Sequence, residues 1–152
     1  MGVAPGEAEK QLMDLRFGHD SLIALGTVED NKPRVRTVNG YYENGSFYVI
    51  THALSNKMRQ LKDNPAAAIC GDWFTAQGRG ENIGHPRDGV NARLADRIRN
   101  AFREWYDNGH TDENDPNVCI LRIRLTEAVL FHHGTRYDLD FSGTEFDEIR
   151  NR

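Results

Sequence analysis

PRVRTVNGYYENGSFYVITHALSNKMRQLKDNP, residues 33–65, is the stretch whose reading decides the fold. Residues 33–42 alternate in polarity and predict a strand, with Pro33 at its first position, where a missing N–H does least harm. ENG at 43–45 is a strong hairpin signal, read as a three-residue turn. SFYVIT at 46–51 is aromatic and β-branched and predicts the returning strand. Residues 55–62 predict a short helix, stopped by KDNP at 62–65. The handover from strand to helix crowds Thr51, Ser55, Asn56 and Lys57 together. Two readings stand there. Ser55 and Asn56 are good N-cap residues, so the crowd can be ordinary capping. A helix N-terminus also offers free N–H groups, and with a lysine beside them it can hold a phosphate.

The strand before the hairpin adds a cation. At period two, Arg34 and Arg36 share one face with Val38, while Val35, Thr37 and Asn39 take the other. Two arginines side by side repel unless an anion or solvent separates them, so this face is either a solvated edge or part of an anion site. The hairpin lets Arg36 approach the end of the third strand, and Arg36, Ser55, Asn56 and Lys57 are predicted to form a compact phosphate cradle.

Outward from this core, Leu12, Leu15 and Phe17 among charges predict a helix over 7–17, and 21–30 predicts a first strand. Residues 66–74 and 75–84 read as fourth and fifth strands, antiparallel to each other. Val90, Leu94, Ile98, Phe102 and Trp105 fall at helical spacing and predict one long helix over 88–106. A polar loop at 108–117 and one or two strands within 118–134 follow, and the polar tail 141–152 is expected on the surface. Short connections favour antiparallel pairing. The predicted class is α+β, mainly β: one domain over 1–152, a split β-barrel of about six antiparallel strands with one long and two short helices.

Bulk properties narrow the function. The length of 152 residues suits one domain, and a net charge of −4 argues against a general nucleic-acid binder. Mean hydropathy is −0.68, and no apolar run approaches the ~18 residues a membrane helix needs. A soluble, cytoplasmic protein is expected. Cys70 and Cys119, each in an apolar run, are expected to be small buried residues, and no metal site is predicted. His132 and His133, adjacent in a predicted strand, should point to opposite faces. GRGENIG at 78–84 is one residue off the dinucleotide fingerprint and lacks its βαβ context. No nucleophile stands beside a base, so covalent hydrolysis has no support.

The ordered set of Arg36-Thr37-Val38, the strand from Gly45 to Thr51, Ser55-Asn56-Lys57 and Asn64-Pro65 resembles the pyridoxamine 5'-phosphate oxidase-like flavin-binding split-barrel family. The resemblance covers residues 12–84 well. It implies an FMN-dependent oxidoreductase acting on a small molecule, with cofactor contacts at Arg34, Val35, Arg36, Thr37, Val38, Asn39, Ile50 and Thr51. It further implies a phosphate clamp of Ser55, Asn56 and Lys57, and a flavin contact from Gln77. It implies a homodimer with flavin at the interface, where Gln77, Trp73 and Phe74 would serve the partner's flavin. Related nitro-reducing flavoproteins make His52 a catalytic candidate. The vitamin oxidase has a lysine where this chain has Asn39, and a His-containing basic end where this chain has FDEIRNR, so pyridoxamine phosphate is not the expected substrate. A deazaflavin-dependent reductase, or a flavin carrier or sensor without turnover, remains the alternative.

Overall fold

The computed structural model describes residues 2–143. Helix α1 (Glu7–Phe17) leads into strands β1 (Ser21–Glu29), β2 (Lys32–Glu43) and β3 (Ser46–His52). Helix α2 (Asn56–Asp63), strands β4 (Ala66–Gly71) and β5 (Phe74–Asn82), helix α3 (Ala92–Ala101), and strands β6 (Val118–His132) and β7 (Thr135–Asp140) complete it. The sheet runs β3-β2-β1-β4-β5-β6-β7, and β3 also pairs with β6. That pairing closes six antiparallel strands into a barrel and leaves β7 as an added edge strand. The predicted split barrel is the observed fold.

The hairpins follow from local chemistry. Asp30-Asn31, Asn44-Gly45 and His133-Gly134 all have positive φ at both residues, the type I′ geometry that matches the strand twist. The β2–β3 turn thus uses two residues, not the expected three, because Glu43 still pairs with Ser46. Inside the barrel, Ile23, Leu25, Phe47, Ile69 and Leu121 form the core, with Met13 and Phe17 of α1 and Met58 and Leu61 of α2 in the same cluster. Phe17 packs on Phe47 and Phe74, with ring centroids 5.6 and 4.7 Å apart. Outside it, Leu94, Ile98 and Phe102 cover Tyr48 and Ile120. Both faces of β3 and of the start of β6 are therefore buried, which is why FYVI at 47–50 and VCIL at 118–121 read as continuous apolar runs.

Several expectations are corrected. The long helix is shorter: a 3-10 turn at Gly89–Asn91 precedes α3, Val90 is exposed, and a separate π-helical turn spans Tyr106–His110. Gly109, at φ 99, breaks the helical path there. Trp73 lies in the β4–β5 turn at φ 52 instead of in a strand. Cys70 is exposed, because β4 is covered on one face only; Cys119 is buried as expected. His133 leaves the strand for a turn, so its ring meets that of His132 at 4.1 Å. β7 lies beyond the predicted strands, and Phe141 is buried. The rest of the tail, 144–152, lies outside the described residues.

Candidate functional site

Strands β2 and β3 pair only from Tyr41↔Tyr48 to Glu43↔Ser46. Beyond that point β2 follows β1 while β3 follows β6 through His52. The two strands part, and their facing backbone edges leave the ladder. Polar backbone groups at such an edge are ready to bind a ligand. A cavity of about 430 Å³ opens here, lined by Val38 and Asn39 of β2, Val49 and Ile50 of β3, Lys57 of α2, and Trp105, Asn108 and Thr111. Its size is within the range of small-molecule sites.

Lys57 Nζ donates to Thr51 Oγ1 at 3.0 Å. Burial, and then the charge of Arg36, push its ammonium below the ordinary lysine range. Among the described residues no carboxylate pairs with it. Arg36 donates to Leu25 O at 3.2 Å, to Thr27 Oγ1 at 2.7 Å and to Gln60 Oε1 at 2.8 Å. Buried Thr27 and Gln60 thus fix the guanidinium beside α2 and leave it donors to spare. Burial also lowers the pKa of Arg36. Ser55 is the N-cap of α2 by backbone, yet its hydroxyl makes no cap bond. The Ser55 Oγ is buried with no hydrogen-bond partner. No acidic residue sits in the first turn of α2. Two neighbouring cations, an unpartnered hydroxyl and an uncapped helix N-terminus are together the donor set a phosphate needs.

The remaining expected residues are placed as follows. Arg34 shares the face of Arg36 but pairs with Glu29 at 3.5 Å and stays half-exposed, apart from the cavity. Val35 and Thr37 point outward and are exposed. Asn56 is exposed, its Oδ1 accepting from Arg59 at 3.4 Å. His52 is engaged at both nitrogens: Nε2 donates to Asp115 at 3.1 Å, and Nδ1 accepts from Leu54 N–H at 3.3 Å. Gln77 is exposed at a bulge in β5 and lines a different groove, of about 630 Å³, with Thr126 and Asp138. Trp73 is exposed, whereas Phe74 belongs to the barrel core and is closed to a partner's ligand.

Sequence reasoning missed part of the wall. Trp105, Asn108 and Thr111 follow α3 and close over the split. Asp20 ties them to β2: its Oδ1 accepts from Asn39 Nδ2 at 2.8 Å and its Oδ2 from Trp105 Nε1 at 2.9 Å. Glu113 fastens the other end through Arg99, Arg87 and Tyr106. The Arg99 bond, more than the Tyr106 and Arg87 bonds, holds its carboxyl down at about 2.

The family model for pyridoxamine 5'-phosphate oxidase matches residues 10–132. The chain belongs to the pyridoxamine 5'-phosphate oxidase family. The match spans every barrel strand, so the split between β2 and β3 falls wholly inside the family region. Among solved structures, the fold is similar to a nimc/nima family protein from Clostridium acetobutylicum, at 18% identity and TM-score 0.63, covering 84% of this chain and 92% of that one. It is also similar to a FAD-binding protein from Mesorhizobium loti, at 14% identity and TM-score 0.61, over 82% and 92% of the two chains. A pyridoxamine 5'-phosphate oxidase-related, FMN binding protein from Nostoc punctiforme shares 20% identity at TM-score 0.52, over 80% and 79%. No curated protein matches the chain. Among the described residues no helix is long and apolar enough to cross a membrane.

Proposed function

We propose that this member of the family binds FMN in the β2–β3 split and is a cytoplasmic oxidoreductase acting on a small molecule. The observation that carries the reading is the unpartnered, buried Ser55 Oγ at the N-terminus of α2, two residues before Lys57, whose ammonium feels the charge of Arg36. Lys57, Ser55 and the N–H groups opening α2 would hold the phosphate, with Arg36 behind them. The backbone edges of Val38, Asn39 and Ile50 would hold the flat ring. When bound, the flavin supplies the electron chemistry, and the chain supplies binding, orientation and exclusion of water.

The same reading makes the protein a homodimer. Leu22, Val35 and Trp73 are 69%, 73% and 70% exposed. Val35 pairs with Gly26 and Gly26 with Ala68, so apolar and small side chains run across the outer sheet face. Exposed apolar surface of this kind marks an interaction site. A second copy there would bring in Gln77, which one chain leaves apart from its own cavity.

The test is flavin fluorescence titration with FMN and with riboflavin, which lacks the phosphate. Lys57→Ala and Arg36→Ala should each weaken FMN binding by about ten- to a hundredfold, the loss of one charge-assisted bond. Riboflavin affinity should hardly change. Equal losses for both ligands would refute the phosphate assignment, and tight FMN binding by a monomer in sedimentation would refute the shared site.

A further inference from the structure

The cavity is charged on one side only. Among the described residues lining it, Lys57 is the sole charged side chain; Asn39, Trp105, Asn108 and Thr111 are neutral, and Val38, Val49 and Ile50 are apolar. Behind Asn39 and Trp105 stands Asp20. Both of its carboxylate oxygens are taken, one by the Asn39 amide and one by the Trp105 indole. These partners are uncharged, and no cation among the described residues pairs with Asp20 in an ion pair. Its negative charge is therefore uncancelled. It is relayed through two polarised N–H donors to the wall that any second ligand must touch. An anion placed against Asn39 or Trp105 meets this charge in a part-buried setting, where Coulomb repulsion is stronger than in water. A cationic side chain at position 39 would reverse that field, and the chain has an amide there.

Shape points the same way. The indole of Trp105, tilted against Phe102 with centroids 4.9 Å apart, gives the wall a flat apolar face. Val38 and Ile50 provide apolar surface from the diverging strands. A planar aromatic molecule is the ligand that fits between such surfaces, by offset or edge contact with the indole. Asn108 and Thr111 supply neutral hydrogen-bonding groups at its rim.

We infer that the part of the cavity walled by Asn39 and Trp105 takes an uncharged, flat aromatic ligand, and that Asp20 sets this choice by disfavouring anions. The inference rests on the flavin reading, because the ligand it names is the one that would meet the bound flavin in this cavity. Asp20 acts through Asn39 and Trp105 and is a specificity-determining residue.

The experiment is equilibrium dialysis of FMN-loaded protein against two probes, menadione, an uncharged naphthoquinone, and a naphthoquinone sulfonate, the same ring system with one negative charge. Binding is read from the free probe, so no turnover is needed. Wild type should prefer the uncharged probe by about tenfold or more, equivalent to about 1.4 kcal/mol. Asp20→Asn keeps a polar group of the same size and should shrink the preference to about threefold or less. Asn39→Lys should reverse it, and it carries the test if melting shows that Asp20→Asn fails to fold. Equal binding of the two probes by wild type overturns the inference. So does a preference that survives in folded Asp20→Asn. FMN titration of the same samples separates the two readings. Normal FMN affinity without charge discrimination overturns the Asp20 assignment alone, whereas no FMN binding by wild type overturns the flavin site itself.

Discussion

Glu113→Gln tests the wall of the cavity without touching its contents. Glu113 accepts from Arg99 Nε and Nη2, both at 2.8 Å, from Arg87 Nε at 3.3 Å and from the Tyr106 hydroxyl. These bonds, the Arg99 bond above all, lower its carboxyl from 4.5 to about 2. Burial and the same carboxylate push the Tyr106 hydroxyl the other way, far above its ordinary value. Counted in full, the lowering of Glu113 corresponds to about 3 kcal/mol of folding stability. Glu113 itself is 11% exposed, but Arg87 is 57% exposed and Arg99 32%. Solvent screening of these partners reduces the contribution to about 2 kcal/mol.

The pH dependence has a definite sign. The folded value lies below the unfolded one, so the stabilisation is complete above the ordinary 4.5 and is lost as pH falls through about 2. In a chain of this length about 2 kcal/mol is ~4–8 °C in melting midpoint. Glu113→Gln should melt lower than wild type by that amount at about pH 7, and the gap should narrow steadily below about pH 4. Calorimetry of both proteins across this range is the assay. A gap of equal size at about pH 7 and about pH 2.5 would refute the reasoning, since it would mean that shape and not charge holds the segment.

Two further outcomes are expected. Ser55→Ala should change stability by less than about 0.5 kcal/mol, because no cap bond is lost, yet weaken FMN binding; a loss of about 1 kcal/mol in thermal melts with FMN affinity intact would make Ser55 a cap. His52→Ala should leave FMN affinity unchanged and lower the melting midpoint only slightly, because the Asp115 contact it loses is solvent-exposed, and markedly slower reoxidation of the reduced protein by a substrate in stopped flow would instead give His52 a catalytic role.

The legible parts of this molecule are those set by neighbours in the chain. Asn44-Gly45 announces its hairpin because both residues tolerate positive φ, and the alternation of Arg34, Arg36 and Val38 fixes one face of β2. Lys57 follows from the start of α2, a local event. The illegible parts depend on contacts distant in sequence. Trp105 continues the apolar spacing of α3, so periodicity counts it as one more buried helical residue. It lies instead past the end of α3 at Ala101, where its indole N–H donates to Asp20, 85 positions away. Glu113 sits in a polar loop that looks solvated, and its role depends on how Arg99 and Arg87 are presented. Cys70 misleads for another reason. AAAIC contains only small or apolar residues, so no polar residue marks the exposed face of β4.

The cavity itself follows from a conflict between ladders. β1 holds β2 from Ser21↔Gly40 to Glu29↔Lys32, and β6 holds β3 from Ser46↔Arg124 to His52↔Val118. These two commitments pull β2 and β3 apart beyond Tyr41↔Tyr48, and a long binding edge opens with no strand of its own to cover it. Left uncovered, such an edge invites pairing with another chain. Here the segment after α3 lies over it without adding a strand, held near its start by Asp20, which accepts from Trp105, and at its far end by Glu113, which accepts from Arg99 and Arg87. Side-chain clamps can release and refasten where a β-ladder cannot do so without losing its register. A cover fastened in this way guards the edge and still leaves room for a ligand between it and the strands.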